Sequence, residues 1–303
     1  MHMADFWING LCRGAIYALV ALGYTMIYGI LGMINYAHGE IFMIGMFACV
    51  YAIGIFTTAW GPIVGSNLLL ALVAAMIIAS YFGYANERIA YRRLRGSHKL
   101  APLTTAIGIS IVLQNFIMTS VSKDQIRFPR FDNSFLVETR HHIIGVSFTL
   151  VQGAILATSI LLMLGLFYLV HRTRLGIAMR AVAQDPLMAG LVGIPVQRVI
   201  AFTFMFASAL AGAAGVMVAS YNEVLRFDAG SLIGLKAFTA AVLGGIGNIP
   251  GAVLGAILIG LTEDLTSVFL GSDWKNVTIF VILMLVLVLR PRGLLGERVA
   301  DKV

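Results

Sequence analysis

Residues 232–261 read LIGLKAFTAAVLGGIGNIPGAVLGAILIGL: thirty residues whose one charge is Lys236, with glycines and a proline gathered at the middle. As a continuous helix this stretch would measure about 45 Å at ~1.5 Å per residue. One crossing of the hydrocarbon core needs about 30 Å, so it is too long for one perpendicular span and too short for two. Its centre, Gly244-Gly245-Ile246-Gly247-Asn248-Ile249-Pro250-Gly251, is a helix breaker by composition. The expectation is a pair of short helices meeting at a Gly/Pro turn. Non-helical backbone at membrane depth is tolerated only where it is buried in protein or lines a wet cavity, and interrupted helices mark binding sites in transporters. A kink that serves packing alone is the other reading.

Outward from this stretch the chain repeats one theme. Phe6–Ile34 is interrupted only by Arg13, and Trp274–Leu289 only by Lys275 at its start. Ile41–Trp60, Leu68–Ala85, Leu100–Val121, Ile143–Val170 and Val199–Tyr221 carry no charge at all. Each is near or above the length of a spanning helix. For the shortest, 274–289, Trp274 at one interface and a snorkelling Arg290 at the other complete the crossing. Across 303 residues, 59% are hydrophobic and 12% charged, with a mean hydropathy of +0.92. A soluble chain carries about 25% charged residues, so this one lacks the solvated surface a soluble protein needs. The expected fold is all-α: a polytopic helical membrane protein with about eight to nine membrane segments, including the broken pair at 232–261, in one domain covering residues 1–303.

Orientation follows from basic residues. Arg88, Arg92, Arg93, Arg95 and Lys99 cluster in 86–99; Arg172, Arg174, Arg180 and Arg198 in 171–198; Arg290, Arg292, Arg298 and Lys302 at the C-terminus. The positive-inside rule places all three in the cytoplasm, which accounts for the net charge of +7 without a nucleic-acid partner. Loop 122–142 carries Lys123, Arg127, Arg130 and Arg140, yet a single helix separates it from 86–99, so it faces out, nearly balanced by Asp124, Asp132 and Glu138. By the same parity 222–231 and 262–273, the latter with Glu263, Asp264 and Asp273, are outward loops. Residues 2–5 hold no Lys or Arg and the run after them is too long for a signal-peptide core, so no cleavage is expected.

Catalytic signatures are missing. No Lys is preceded by Gly or followed by Ser or Thr, so there is no phosphate-cradling loop, and no Gly-x-Ser-x-Gly, His-Glu-x-x-His or Cys-x-x-Cys occurs. Cys12 and Cys49 lie in apolar runs as small hydrophobes. His38 and Glu40 are two residues apart, which does not place them on one helix face for a metal.

Three constellations remain. Asn35, His38 and Glu40 follow the first apolar run; polar groups near membrane depth must face protein, water or each other. Asn35 and His38 read as a polar turn beside a transport path or as an ordinary interfacial loop, whereas Glu40 suits the N-terminus of a helix opening at Ile41. Arg13 and Lys236 are lone cations in apolar runs; an intramembrane charge is a functional candidate, but both stand near the ends of their runs, where snorkelling is the expected arrangement. In the cytoplasmic loop 172–198, Gln184-Asp185-Pro186-Leu187-Met188-Ala189-Gly190-Leu191-Val192-Gly193 spells a short helix: Asp185 as N-cap, Pro186 at the first position, Gly193 past the end. Leu187, Met188, Leu191 and Val192 are too apolar for a free loop. They are expected to enter a partner's groove or else to lie on lipid.

Taken together, the stretches Gly23–Glu40, Arg180–Ile194, Lys236–Gly255 and Arg290–Gly296 resemble the inner-membrane permeases of bacterial ABC importers for branched-chain amino acids. Tyr36 stands where Phe is expected, and loop 122–142, the periplasmic side, matches nothing in the pattern. The resemblance implies a multi-pass inner-membrane permease with a cytoplasmic C-terminus, carrying leucine, isoleucine and valine inward by alternating access. It implies a second, homologous permease, two cytoplasmic ABC ATPase subunits, a periplasmic amino-acid-binding protein and the lipid bilayer as partners. ATP and Mg would be bound by the ATPase subunits, leaving no cofactor, no metal and no catalytic residue in this chain. The segment from Gln184 to Gly193 would couple to the ATPase, while Asn35, His38, Thr239, Gly244, Gly245, Gly247 and Pro250 would line or gate the path. Related permeases serve other amino acids, amides or urea. An ion-coupled carrier would need acidic residues mid-span, and an intramembrane enzyme would need a nucleophile–base pair that the sequence does not offer.

Overall fold

The computed structural model describes residues 3–61, 64–94, 100–128, 140–143, 146–222, 224–290 and 292–296. Arg95, Lys99, Arg130, Asp132, Glu138, Arg298 and Lys302, named above for orientation, lie outside these residues. The described chain is helical almost throughout: α1 (Met3–Leu31), α2 (His38–Trp60), α3 (Val64–Asn86), α4 (Leu100–Ser120), α5 (Leu150–Arg172), α6 (Arg174–Gln184), α7 (Pro186–Leu191), α8 (Val196–Asn222), α9 (Ala229–Gly244), α10 (Ile249–Phe269) and α11 (Trp274–Leu289). A π-helical turn, Glu87–Tyr91, and one α-turn, Arg92–Leu94, prolong α3. Seven of these, α1, α2, α3, α4, α5, α8 and α10, are long and apolar enough to cross a membrane, while α9 and α11 have 16 residues each.

α1 and α8 are enclosed by the other helices, whereas α3, α4, α5 and α11 turn residues such as Ile77, Val112, Leu161 and Val288 outward. Such a surface suits hydrocarbon, where lipid tails are as apolar as the side chains they meet. The inner helices approach through small residues: a Cβ placed on Gly45 of α2 would fall 2.5 Å from Gly212 Cα of α8, and one on Gly14 of α1 would fall 2.8 Å from Ile257 Cα of α10. At those crossings only glycine admits the neighbouring backbone.

Several expectations are corrected. The helix expected from Ile143 begins at Leu150 instead, preceded by strands β2 (Arg140–Ile143) and β3 (Val146–Thr149), which pair antiparallel. Val146-Ser147-Phe148-Thr149 alternates β-branched or aromatic residues, a pattern that favours a strand over a first helical turn. Strands β1 (Ile126–Arg127) and β4 (Val224–Leu225) pair antiparallel and join two interhelical segments.

The chain leaves helix between Gly244 and Ile249, but α10 is not short. Its 21 residues run to Phe269 and take in Glu263 and Asp264, which the charge reading assigned to an outward loop. Both acids are buried. The physical reason is that Arg13 of α1 and Lys236 of α9 face them, so four charges that look costly one at a time neutralise each other.

The end of α1, α6 and the α9–α10 turn share a cleft lined by Gly29, Ile30, Met179, Arg180, Gly247 and Ile249. The segment after α11 packs on the same turn: Leu294 N and Leu295 N donate to the carbonyls of Leu243 (2.8 Å) and Gly244 (3.0 Å). One face of the bundle therefore gathers the short helices and the C-terminal segment.

Candidate functional site: a projecting helix and a buried polar turn

Beneath that face stands α7. Asp185 is held extended (φ −153°, ψ 103°), and its Oδ1 accepts from Leu187 N (2.8 Å) and Met188 N (3.0 Å), with Pro186 opening the helix. This is a side-chain cap on two N–H groups that have no partner within the helix. Gly193 ends the segment at φ +87°, a conformation that favours glycine. Ala189 is buried against the bundle, while Leu187, Met188, Leu191 and Val192 are between 60% and 81% exposed. Three large apolar side chains thus project from a six-residue helix, and Val192 at its C-cap adds a fourth.

The wedge is carried on a stiff arm. Thr173 Oγ1 caps α6 by accepting from Gly176 N (3.1 Å), and the Arg180 guanidinium donates to the Val170 carbonyl at the end of α5. Because Gly176 packs directly on the Val170 backbone, α6 folds back tightly on α5. α7 is thereby tied to the spanning helix α5 through α6.

Inside the bundle, the polar turn opens α2 at His38, not at Ile41. Asn35 is buried, and its Oδ1 accepts from Ala37 N (3.1 Å) and from the Tyr91 hydroxyl (2.9 Å), tying the α1–α2 connection to the π-helical turn. Tyr91 in turn packs on Phe204 of α8 with ring centroids 5.3 Å apart. The His38 ring is fully buried and lies edge-on to Tyr24, 4.8 Å between centroids. It rests on Gly23, where any Cβ would collide with the imidazole. Glu40 does not cap the helix: no side-chain cap is made there, and its Oε1 accepts from Ser110 Oγ of α4 (3.1 Å).

The other residues expected along the path lie elsewhere. Thr239 is buried with its hydroxyl donating to Leu235 O of its own helix (2.8 Å). Gly244, Gly245, Gly247 and Pro250 build the α9–α10 turn, with Gly245 at φ +107° and Gly247 at φ +95°. Asn248 caps α10 by accepting from Gly251 N (3.0 Å) and donates to Leu295 O (2.9 Å). Asn35 and His38 are thus gathered beside Tyr91 and Tyr24, and the glycine turn sits apart, beside α6 and the C-terminal segment.

The pairing of the two lone cations escaped the sequence reading. Lys236 Nζ lies 2.9 Å from Glu263 Oε1, Arg13 Nη1 lies 3.1 Å from the same oxygen, and Arg13 Nε lies 3.3 Å from Asp264 Oδ1. The Tyr17 hydroxyl donates to Glu263 Oε2 at 2.6 Å. These groups join α1, α9 and α10 beside a small cavity that Tyr221 and Asn222 of α8 also line. The signal was present in the spacing: 21 residues from Ile249 to Phe269 make a full span only if the two acids are accepted into it.

Residues 6–289 match a family model described as the permease component of branched-chain amino acid transport systems. Among curated proteins the chain is similar to the high-affinity branched-chain amino acid transport system permease protein BraD of Pseudomonas aeruginosa, 43% identical over 302 residues, covering 100% of this chain and 98% of the relative. It is similar to LivH of Escherichia coli K12, a permease protein of the same description, at 42% over 311 residues, again 100% and 98%. A more distant relative is the probable branched-chain amino acid transport permease protein LivH of Methanocaldococcus jannaschii, 26% identical over 287 residues, covering 92% of this chain and 88% of that one.

Proposed function

Because the chain belongs to the family of permease components of branched-chain amino acid transport systems, we propose how it works within one. It is a multi-pass membrane permease of an ABC transport system that moves branched-chain amino acids. The observation that carries this reading is similarity along the whole chain, at 42–43% identity, to high-affinity permeases of that description. Leucine, isoleucine and valine are the substrates, taken inward across a bacterial inner membrane.

The permease has no motor of its own. A second, homologous permease completes the path, a periplasmic amino-acid-binding protein delivers substrate, and two cytoplasmic ABC ATPase subunits bind ATP and Mg and supply the energy. The face bearing α6, α7 and the C-terminal segment is cytoplasmic, in keeping with its arginines. The exposed apolar group Leu187, Met188 and Leu191 of α7 with Val192 at its C-cap seats in a groove on the ATPase, as helix-in-groove contacts do. Gln184, Asp185 and Pro186 set its angle, and Gly193 releases the chain into α8. Nucleotide-driven closure of the ATPase pair moves α7, and α6 passes the movement to α5, biasing the path between outward- and inward-open states. Asn35, His38 and Thr239 stand along that path, and the turn Gly244, Gly245, Gly247 and Pro250 forms its inner gate.

An ion-coupled carrier fits less well. Glu263 and Asp264 are mid-helix acids, but Lys236 and Arg13 pair with them, leaving no net charge there to be matched by a driving ion. The test is uptake in vesicles reconstituted with the full system: labelled leucine, isoleucine and valine should accumulate only with ATP inside, and should do so without an ion gradient. Accumulation driven by sodium or protons alone overturns the reading.

A further inference from the structure

On the outer wall of the bundle, α3 and α8 leave a groove of about 630 Å³, lined by Val73, Ile77 and Tyr84 of α3 and by Phe202, Met205 and Ala209 of α8. Apart from Ser80 and the tyrosine hydroxyls the lining is apolar. The residues recur at steps of three and four, so each helix contributes one stripe. From Val73 to Tyr84 the groove runs about 16 Å along α3 at ~1.5 Å per residue. That is close to half of the ~30 Å hydrocarbon core, the depth of one leaflet.

Each stripe ends, one turn further on, in an arginine. Arg88 donates through Nη1 to the Tyr84 hydroxyl (2.6 Å), and its guanidinium carbon lies 5.8 Å from the centre of that ring. Arg198 stands four residues before Phe202, on the same face of α8. The two helices run antiparallel: Gly83 packs on Phe204 and Ser208, and Gly212 on Ala79 and Ala75. Both arginines therefore come to the same end of the groove. Both are exposed, and neither has an acidic partner among the described residues. The adjacent Glu87 is buried and pairs with Arg92 at 3.3 Å.

Two features argue against a protein helix as the occupant. Close helix contacts in membranes are made through small residues, and α3 and α8 turn theirs, Gly83 and Gly212, toward each other. The groove face instead presents Ile77 and Phe202, 64% and 44% exposed. A helix seated there would also have to supply an acid for two arginines at the membrane surface. A lipid supplies both parts in one molecule, since basic pockets between spanning helices suit anionic headgroups and guanidinium forks match phosphate oxygens.

We infer that the groove is a binding site for an anionic phospholipid, its phosphate between Arg88 and Arg198 and one acyl chain along Val73, Ile77, Phe202 and Ala209. A zwitterionic headgroup would bring its own cation beside two unpaired arginines, so a net negative lipid is preferred. The site does not depend on what the permease carries.

The test uses the detergent-purified transport system and phosphatidylglycerol bearing a diazirine in its acyl chain. After illumination, adducts should fall within residues 73–84 and 202–209. Unlabelled phosphatidylglycerol should displace the probe at a concentration roughly tenfold or more below that of phosphatidylcholine with the same chains. Arg88→Gln with Arg198→Gln should erase this difference, and Arg88→Lys with Arg198→Lys should keep most of it. If the glutamine pair does not assemble, the competition in the unaltered protein still decides. Equal displacement by the two lipids there would mean that ordinary boundary lipid fills the groove, and overturns the site. A groove left unlabelled while α5 takes up the probe would mean that another chain covers it, and overturns the site as well.

Discussion

Lys236 and Glu263 form an ion pair of 2.9 Å between α9 and α10, with side chains 6% and 5% exposed. Arg13 and Tyr17 of α1 reach the same carboxylate. Three helices from opposite ends of the chain are thereby joined at one acid. Such a pair adds little stability compared with a well-packed apolar substitute, but halving it leaves an uncompensated buried charge.

Lys236→Met should therefore destabilise the protein by about 3–5 kcal/mol, read as a drop in the thermal midpoint of the detergent-purified complex. Combining it with Glu263→Gln should restore much of the loss, since Arg13 retains Asp264 at 3.3 Å. A double variant no more stable than Lys236→Met would show that the pair is not the source.

The wedge predicts a different phenotype. Asp185→Ala removes the cap on Leu187 N and Met188 N and should cost about 1 kcal/mol of local helix stability. Together with Leu187→Ala it should leave membrane assembly intact while separating ATP hydrolysis from uptake. Uptake per ATP hydrolysed in reconstituted vesicles, unchanged from wild type, would remove this role from α7.

The α3–α8 crossing permits no side chain at Gly212. Gly212→Leu should force α8 away from α3, because an added Cβ would lie 2.6 Å from Ala79 Cβ and 2.8 Å from the Ala75 carbonyl oxygen. Overpacking of this kind typically costs 1–3 kcal/mol, occasionally more, and here nothing flexible can yield. The measurement is the yield of folded, detergent-stable protein, with Ser220→Leu, on the half-buried end of the same helix, as the tolerant control.

At the α9–α10 turn, Asn248→Ala should lose both the α10 cap (3.0 Å) and the clasp on Leu295 (2.9 Å). The cap alone is worth about 1 kcal/mol. The variant should fold, yet its C-terminal segment should be cut faster by added protease from the side that bears α7. Equal cleavage rates would mean that Leu294 N and Leu295 N hold the segment unaided.

The parts of the site written in local chemistry were legible early. Asp185-Pro186 and Gly193 spell a helix start and stop whatever surrounds them, and α7 occupies that interval. The same holds for Gly245 and Gly247, whose positive φ angles permit the turn. What local chemistry misjudged were groups whose state depends on a partner far along the chain. Arg13 looked like a snorkelling cation because its partners lie 250 residues away. Glu40 looked like a cap because Ser110, 70 residues on, is invisible to a reading of neighbours. Residues 143–149 failed for a related reason: an apolar stretch reads as span until a strand partner claims it.

From the order of residues alone came the class of molecule. Long runs without charge can be dissolved only in lipid, and a helix is the one structure such a run can adopt there without leaving backbone groups unpaired. That argument needs no partner. Which helices lie inside and where Glu263 and Asp264 find their counter-charges were decided by tertiary packing. Burial costs and charge pairing are properties of distances between segments, and those distances exist only once the chain has folded.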